Sequence, residues 1–305
     1  MRPPVTWRAA RAADRRLFAA GSAHRLAVVR TGLALTIGLR VALGPYADLA
    51  GQPAALFDPP SLLTVLPAMP GRAVLVGIQV VAATAALAAA FRWRPRATLA
   101  VAWLGLLVLA GLKGSLGKVL HNDVLLLLAT VPLLGAPPDA RVGDHTRSPR
   151  AGWPVETAVV VVAVAYFASG AQKLLHSGID WVTGDNMRWI MYQAAAGNLA
   201  PTAALSRAVA DRPWLATATA GAVLTFELSA PLLLVTRRTR PWFAAAAVGL
   251  HLGTWLTLGL DYWGWALTAA AVLPDWGAGA QTPARLWAPI TARSSTPDSA
   301  TGPPP

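Results

Sequence analysis

The sequence predicts an all-α fold, a polytopic bundle of membrane helices with about eight spans and both termini in the cytoplasm. Hydrophobic residues make up 55% of the 305 positions and charged residues only 13%, whereas a soluble domain carries about a quarter charged residues. Apolar runs of membrane-spanning length alternate with short arginine-rich segments, as expected of loops on the cytoplasmic side. We therefore expect an integral, multi-pass protein of the plasma membrane, with the lipid bilayer as its first partner.

The composition also excludes several classes of function. The net charge of +12 does not indicate nucleic-acid binding, because the arginines cluster in the short segments between apolar runs. The chain has no cysteine, which removes disulfides, zinc–thiolate sites and cysteine nucleophiles. No metal site and no nucleic-acid partner are predicted, and the sequence does not identify protein partners.

Three regions are predicted along the chain. Residues 1–25 form a basic tail that stays in the cytoplasm, because the long apolar run after it has no clear small-residue cleavage site of a signal peptide. Residues 26–275 form the transmembrane domain. Residues 276–305 are rich in Pro, Ser and Thr and are expected to be a disordered tail.

The spans of the first half are bounded by helix-breaking and arginine-rich segments. Spans are predicted over about 26–43, 73–91, 97–112 and 119–134, each apolar enough to cross a bilayer. The external loop 45–72 contains several prolines, which interrupt helices. Arginines at 92–96 mark a cytoplasmic turn. The fourth span then runs inward, with His121, Asn122 and Asp123 in its first turn.

The second half repeats this alternation. Spans are predicted over about 155–175, 214–235, 241–260 and 262–273, the last of them short. The loop 136–153 and the turn at 237–240 carry the arginines expected of the cytoplasmic side. The long external segment 177–211 is expected to contain an amphipathic helix that Asp185 caps and that continues through Tyr192. This helix lies at the interface or folds back over the bundle.

A polar stripe stands out at the end of the fifth span. Tyr166, Ser169, Lys173 and His176 are spaced by three, four and three residues, so they share one face of a helix. Only three of the 26 basic residues are lysine, and lysine, unlike arginine, can lose its proton when desolvated. Lys173 is therefore a candidate functional base.

The predicted topology brings further polar residues to the same outer face. They are Lys118, His121, Asn122, Asp123, Lys173, His176, Asp180 and Asp185. Since the fourth and fifth spans run antiparallel, His121 and Lys173 are expected at similar depth. Ionisable groups in an apolar bundle tend to line pathways or sites. The alternative is that these residues anchor helix ends in the headgroup layer.

Two ionisable residues lie deeper, within the sixth and seventh spans. Glu227 and His251 are costly at mid-membrane unless they are paired or uncharged, and they are expected to pair with each other, with Arg40 or with Lys173. A structural clamp between helices and a catalytic or ligand-binding role both remain open. Trp181 lies near a span end, where tryptophan is typical of the interfacial belt or stacks on a flat ligand such as a quinone ring.

Several of these residues resemble a known family. The segment Tyr166-Phe167-Ala168-Ser169-Gly170-Ala171-Gln172-Lys173, followed by Trp181 and Gly184, resembles the catalytic region of vitamin K-dependent gamma-carboxylases. It is more similar to their smaller bacterial relatives with an HTTM (horizontally transferred transmembrane) domain. His121-Asn122-Asp123 before an apolar helix, Phe226-Glu227-Leu228 before Pro231, and His251 are also similar to that domain. The resemblance covers about residues 20–275.

The resemblance implies a fold and a chemistry. Lys173 matches the base that deprotonates reduced vitamin K, whose reaction with oxygen yields the strong base used for glutamate carboxylation, and His121 matches an assisting histidine. The implied cofactor is a reduced, vitamin K-like quinone, and Asn122, Asp123, Tyr166, His176, Trp181, Glu227 and His251 are expected to bind or support it. The lumenal portion with which the carboxylases grip their protein substrate is expected to be missing, because the spans end near Leu273.

Three functions remain open from the sequence. The first is gamma-carboxylase-like, quinol-dependent chemistry at the outer face, with Lys173 as the base. The second is a non-enzymatic membrane binding or assembly protein on the same scaffold. The third is a small-molecule transporter in which Glu227 and His251 relay protons.

Overall fold

A computed structural model of the protein describes Asp14 and residues 17–117 and 121–276. This part of the chain is predominantly helical, as predicted. Its longer helices are α1 (Ala23–Leu43), α2 (Arg72–Ala90), α3 (Pro95–Gly114), α4 (Val124–Leu134), α5 (Pro149–Ser177), α6 (Asn186–Ala196), α7 (Ala203–Ala210), α8 (Pro213–Leu228), α9 (Arg240–Leu258) and α10 (Trp263–Val272).

Short elements connect these helices. Single turns of α-helix form at Asp180–Thr183 and Leu232–Val235, and 3-10 helices at Tyr46–Gly51, Ala54–Leu56, Ser61–Val65 and Arg237–Thr239. Two-residue strands, β1 (Gly21–Ser22) and β2 (Arg147–Ser148), pair antiparallel with Gly21 opposite Ser148. This pair was not predicted, and it ties the start of α1 to the start of α5.

Five segments are long and apolar enough to cross a membrane. They are Ala23–Gly51, Arg72–Ala90, Pro95–Gly114, Pro149–Ser177 and Pro213–Val235. The apolar helices α4 and α10 are shorter. A helical protein with several segments of membrane-spanning length is therefore confirmed.

The packing is inverted relative to that of a soluble protein. Large apolar side chains such as Leu35, Leu39, Val80, Val81 and Val164 are exposed on the outer faces of helices. Arg25, Arg30, Arg40, Glu156, Glu227 and Arg240 are instead buried between helices. Extended apolar surfaces of this kind mark contact with another apolar phase, and charges inside a membrane bundle face its interior. Both features fit a chain surrounded by lipid.

Helix α1 lies at the centre of the bundle and packs against α2, α3, α4, α5 and α10. Leu26, Leu33 and Ile37 on α1 have no exposed surface. Arg25 and Arg40 lie fifteen residues apart on α1, about 22 Å along its axis. Each arginine takes part in a cluster of ion pairs, so one helix supplies an ion pair at each end of the bundle.

The cluster at Arg25 is centred on Glu156 near the start of α5. Its carboxylate accepts from Arg25 Nη1 at 2.7 Å, Arg240 Nη2 at 2.8 Å and Arg237 Nη2 at 3.2 Å. The cluster therefore joins the starts of α1, α5 and α9. Removing one partner of a buried ion pair is costly because the other charge stays buried.

The cluster at Arg40 joins the loops at the other end. Arg40 Nε donates to Asp123 Oδ1 at 2.6 Å, and Arg40 Nη1 donates to both carboxylate oxygens of Asp261 at 2.8 Å. Asn122 Nδ2 donates to the Asp261 carbonyl at 2.6 Å. The segment before α4 is thereby fixed to the turn before α10.

The structure corrects the predicted start of the fourth helix. Helix α4 begins at Val124, so His121, Asn122 and Asp123 precede it and do not form its first turn. Asp123 occupies the N-cap position, but its side chain makes no capping bond, because Arg40 takes both of its carboxylate oxygens. Lys118 lies outside the described residues.

Other predicted boundaries shift by a few residues. Helix α1 begins at Ala23, where the Ser22 side chain accepts from the Arg25 amide, so the predicted tail 1–25 ends earlier. The predicted sixth span is interrupted between Leu228 and Leu232. Helix α7 was not predicted. Most of the N-terminal tail and all but Trp276 of the predicted disordered tail 276–305 lie outside the described residues.

Candidate functional site

A cavity of about 250 Å³ lies among α5, α6, α8, α9 and α10. Most of its wall is apolar, with Val223, Leu250 and Leu258 among the lining residues. Apart from the Thr254 hydroxyl, which donates to the His251 carbonyl, its main polar groups fall into three sets: an ion pair with a hydroxyl, and two phenol–imidazole pairs. An apolar cavity with a few convergent polar groups is the usual form of a small-molecule site.

The ion pair is formed by Lys173 on α5 and Glu227 on α8. Lys173 Nζ donates to Glu227 Oε1 at 2.8 Å and Oε2 at 2.7 Å, and to Ser169 Oγ at 3.1 Å. Ser169 Oγ also donates to Glu227 Oε1 at 3.0 Å. The Lys173 ammonium lies 5.3 Å from the centre of the Trp181 ring, within cation–π range. The predicted helical stripe thus supplies both Ser169 and Lys173 to one carboxylate.

Gly170 on α5 allows this pair to form, because α8 packs against it with little room for a side chain. A Cβ added at Gly170 would lie 3.0 Å from Glu227 Cβ and 3.1 Å from Leu228 Cδ2. A larger residue would push α8 away and lengthen the contact between Lys173 and Glu227. Small residues at membrane helix interfaces let backbones approach in this way.

The first phenol–imidazole pair is Tyr166 and His251. Tyr166 Oη lies 2.8 Å from His251 Nε2, and both side chains are buried. The Tyr166 ring packs edge-on against Phe226, Phe243 and Trp265. His251 Nδ1 is buried and has no hydrogen-bond partner among the described residues. This nitrogen has almost no accessible surface, so it does not face the open part of the cavity.

The second pair is His121 and Tyr262. Tyr262 Oη lies 2.7 Å from His121 Nε2, and Trp265 Nε1 donates to the His121 carbonyl at 3.1 Å. Arg40 binds Asp123 and Asp261, which lie close to this pair in the chain. Asp123 is two residues after His121, and Asp261 directly precedes Tyr262. The ion cluster at Arg40 therefore fixes the position of His121 and Tyr262 from outside the cavity.

The structure brings most of the predicted site residues together. Those that line the cavity are His121, Tyr166, Lys173, Trp181, Glu227 and His251. Glu227 pairs with Lys173, one of the alternatives that the sequence left open, whereas His251 pairs with Tyr166. The predicted relay between Glu227 and His251 is therefore not a direct hydrogen bond.

Three predicted residues lie outside the cavity. Asn122 and Asp123 hold the loop behind His121 and do not line it. His176 is exposed, and its Nδ1 lies 2.9 Å from the Gln172 carbonyl oxygen. Although His176 shares the stripe of Lys173, it lies beyond the point where α5 leaves the cavity.

Sequence reasoning missed two carboxylates that organise the bundle. Asp261 follows Gly259, whose φ of +68° permits the turn between α9 and α10, and it supports Tyr262 in the cavity. Glu156 holds the opposite end of the bundle. The signal for Glu156 was present, because an acidic residue at the start of an apolar run is unusual in a membrane helix.

The arrangement suits a flat, neutral ligand with polar oxygens. Among the described residues, no group of three or more His, Asp or Glu side chains is placed to hold a metal ion. No protein-family model, curated protein or solved structure matches the chain. The cavity combines aromatic walls, two imidazoles, and a lysine–carboxylate pair able to exchange a proton.

Proposed function

We propose that the chain is a membrane enzyme that binds a reduced quinone, or a similar hydroxylated aromatic lipid, and removes a proton from its hydroxyl group. One observation carries this proposal: the pair of Lys173 and Glu227 forms the polar wall of an otherwise largely apolar cavity. A protein cavity of about 150 Å³ holds benzene. The cavity of about 250 Å³ therefore has room for one or two fused rings.

The pair of Lys173 and Glu227 is suited to take up a proton. Before reaction, the ammonium and the carboxylate neutralise each other, which limits the cost of burying them. When the ligand hydroxyl gives its proton to the pair, the pair gains one positive charge and the ligand keeps one negative charge. The two new charges lie side by side, so the cavity as a whole stays neutral. A positioned base of this kind contributes about 10² to 10⁴-fold to a rate.

The phenol–imidazole pairs supply the remaining polar contacts. Tyr166 with His251 and Tyr262 with His121 both line the cavity. The hydroxyl groups of a quinol both donate and accept hydrogen bonds. A phenol–imidazole pair can therefore bind one of these hydroxyl groups in either imidazole tautomer. Trp181 and Trp265 provide flat faces for stacking.

The family resemblance supports the same assignment. Lys173 and His121, the positions that match the family's base and its assisting histidine, line one cavity. We propose on this basis that the chain has the HTTM-type scaffold and that its quinol chemistry is carboxylase-like. In that chemistry the deprotonated quinol reacts with oxygen.

We further propose eight spans, cytoplasmic termini and a location in the plasma membrane. The five membrane-length segments are supplemented by the shorter apolar helices α4 and α10 and by the 19-residue helix α9, all packed within the same bundle. Arginine-rich segments lie at the end of the bundle that holds Glu156, whereas the cavity lies toward the end that holds Arg40. This distribution supports a cytoplasmic side at Glu156.

The proposal is tested with purified protein in lipid nanodiscs and chemically reduced 2-methyl-1,4-naphthoquinone. We expect quenching of tryptophan fluorescence on binding and oxygen-dependent formation of the quinone epoxide. The variants Lys173→Met and Glu227→Gln should lower the epoxide rate by about 100-fold. Lys113→Met, at the end of α3 and away from the cavity, is the matched control and should keep the rate.

Each alternative outcome has a distinct meaning. Unchanged epoxide formation by Lys173→Met at normal abundance would overturn the role of Lys173. Saturable quenching with no epoxide from the unaltered protein would replace the enzyme by a non-enzymatic quinone-binding protein.

A further inference from the structure

A second cavity, of about 500 Å³, lies at the other end of the bundle from Lys173. Its wall is formed by the starts of α1, α3 and α5 and by the loop between α4 and α5. The charged side chains in this wall are Arg96, Arg150, Asp139 and Asp144, and we call the space the arginine cavity. Arg150 precedes Lys173 by 23 residues on α5, about 35 Å along the helix axis.

Arg96 is held in place but keeps one free donor group. Its Nε donates to the Ala136 carbonyl at 2.6 Å and its Nη2 to the Gly135 carbonyl at 3.3 Å, so the guanidinium is fixed to the end of α4. Its Nη1 makes no hydrogen bond within the part of the chain that the structure describes. An arginine that is already oriented loses little further freedom when it binds an anion.

Arg150 lies in the first turn of α5, an unusual place for a cation. The helix macrodipole favours negative charge at this end, yet the first turn of α5 contains no acidic residue. The Arg150 side chain is exposed and makes no hydrogen bond or ion pair with the described residues. An anion bound here would be stabilised by the guanidinium and by the helix terminus together.

Buried arginines add positive charge beside the cavity. Arg30 on α1 donates to the carbonyls of Pro137 and Ala140 at 2.8 and 3.1 Å, and both of these residues line the cavity. Within the described residues, Arg30 forms no ion pair with a carboxylate. Arg92 and Arg96 lie close enough to interact with its charge.

The two aspartates of the wall do not cancel this charge. Asp144 Oδ1 accepts from the Thr146 amide at 2.9 Å and from the Thr146 hydroxyl at 2.7 Å, and Asp139 lies within electrostatic reach of Arg30. Against these two carboxylates stand the four arginines in and around the cavity: Arg30, Arg92, Arg96 and Arg150. The excess of positive charge favours an anionic ligand.

We propose that the arginine cavity binds a phosphate group, held by Arg96 and Arg150. Arginine presents paired N–H donors in a planar fork that matches the oxygens of phosphate. Two sources share this chemistry: the headgroup of an anionic phospholipid and a soluble phosphate ester. The site lies far from the cavity at Lys173, so this inference does not depend on quinol chemistry.

The position of the cavity favours a phospholipid as the source of the phosphate. The cavity lies at the end of the bundle that we assign to the cytoplasm, and anionic lipids are abundant in the cytoplasmic leaflet. Basic pockets between membrane helices on this side bind lipid headgroups. Trp153 also lines the cavity, and tryptophan is typical of the headgroup layer.

The test measures the first binding event on the purified 305-residue chain in detergent by native mass spectrometry. The three probes are dioctanoyl phosphatidic acid, with chains and phosphate, dioctanoylglycerol, with chains only, and glycerol 3-phosphate, with phosphate only. Phosphatidic acid should bind about 20-fold more tightly than dioctanoylglycerol, and Arg96→Gln and Arg150→Gln should each weaken its binding about fivefold. Arg150→Gln removes no contact among the described residues, so its melting should not change.

The matched control is Arg238→Gln, which removes an exposed arginine at the same end of the bundle but outside the cavity. Because an exposed charge is screened by salt, its loss should change the affinity by less than about twofold. A loss as large as that in Arg150→Gln would mean general attraction to a basic surface and would overturn the site.

The probes also distinguish the source of the phosphate. Arginine-dependent binding of phosphatidic acid alone would assign the site to a phospholipid, and equally tight, arginine-dependent binding of glycerol 3-phosphate would assign it to a soluble ester. Equal affinities for phosphatidic acid and dioctanoylglycerol in the unaltered protein would overturn the proposal. Unchanged affinity for phosphatidic acid in both cavity variants would overturn it as well.

Discussion

Lys173 donates to both carboxylate oxygens of Glu227, at 2.8 and 2.7 Å, across the interface of α5 and α8. The two partners differ in exposure: 23% of the Lys173 side chain is accessible but only 8% of that of Glu227. Glu227 therefore depends on the ion pair, because water can reach little of its side chain. Lys173 is the member that faces the cavity and a ligand.

This asymmetry predicts the result of a double-mutant cycle. Lys173→Met should lower the free energy of unfolding by about 3 kcal/mol, because it leaves the Glu227 carboxylate buried and unpaired. Glu227→Met should cost less, since Lys173 can extend toward solvent. The double variant should regain most of the stability and remain inactive. Unfolding in detergent, followed by tryptophan fluorescence, measures each cost, and additive losses would contradict a direct coupling.

The close approach at Gly170 makes a second prediction. Gly170→Val should cost about 1 to 3 kcal/mol through overpacking and should also reduce quinol binding, because it separates Lys173 from Glu227. Gly170→Ala should have a smaller effect. The control is Gly221→Ala on α8, whose added Cβ would meet only Val182 Cγ1 at 3.7 Å. Equal behaviour of Gly170→Val and Gly221→Ala would show that the helices are free to separate.

The sequence predicted the helical elements well and the side-chain pairs only in part. Hydrophobic runs and arginine-rich turns placed most helices within a few residues, since both signals are local. The stripe on α5 predicted that Ser169 and Lys173 share a face. It also predicted that His176 belongs to the site, but the cavity ends one turn before His176. The end of the cavity is set by the way α8 and α9 pack near α5, which the stripe does not reveal.

The partner of each buried charge was decided by tertiary packing. Glu227 reaches Lys173 because Gly170 brings α8 close, and Arg40 reaches Asp123 because α1 runs beside the loop before α4. Neither of these two packing arrangements can be predicted from a single sequence. The arginine cavity at Arg96 and Arg150 was also unpredictable, because it is a space left between distant segments of the chain.

The cluster at Glu156 makes a third prediction. Glu156→Gln should lower the free energy of unfolding by about 3 to 5 kcal/mol, because it leaves the buried Arg240 without an anion and Arg25 with only Asp275, at 3.7 Å. Asp48→Asn is the control: Asp48 lies 3.6 Å from Arg72, and both side chains are largely exposed, so its loss should cost less than about 1 kcal/mol. Similar membrane abundance and melting for the two variants would contradict the structural role of Glu156.

The cluster at Arg40 makes a fourth prediction. Arg40→Lys keeps the charge but has no planar fork with which to bind Asp123 and Asp261 together. Leaving one carboxylate unsatisfied should cost about 1 to 3 kcal/mol, and the loosened loops should weaken ring binding near His121 and Tyr262. The exposed Arg72→Lys serves as the control. Unchanged ring affinity in Arg40→Lys would show that His121 is positioned by other contacts.

The topology makes a last prediction, for which the lack of native cysteine is an advantage. Helix α4 spans eleven residues, about 16 Å, against a hydrocarbon core of about 30 Å. We nevertheless expect it to cross, because it packs against α1, α3, α5 and α10 and exposes only one face, with Leu128 and Val131, to the lipid. Single cysteines at the exposed positions Thr64, Val142 and Leu199 test this crossing with a membrane-impermeant maleimide.

In intact cells, Thr64→Cys and Leu199→Cys should be labelled, and Val142→Cys only after permeabilisation. Three helices, α2, α3 and α4, separate Thr64 from Val142, so the two positions lie on opposite sides only if α4 crosses. Helix α5 is the one segment of membrane-spanning length between Val142 and Leu199, which makes Leu199 the internal reference. Labelling of Val142→Cys together with Thr64→Cys would mean that α4 does not cross. Helix α5 would then start on the outer side, and Lys173 near its end would no longer lie on the same side as His121.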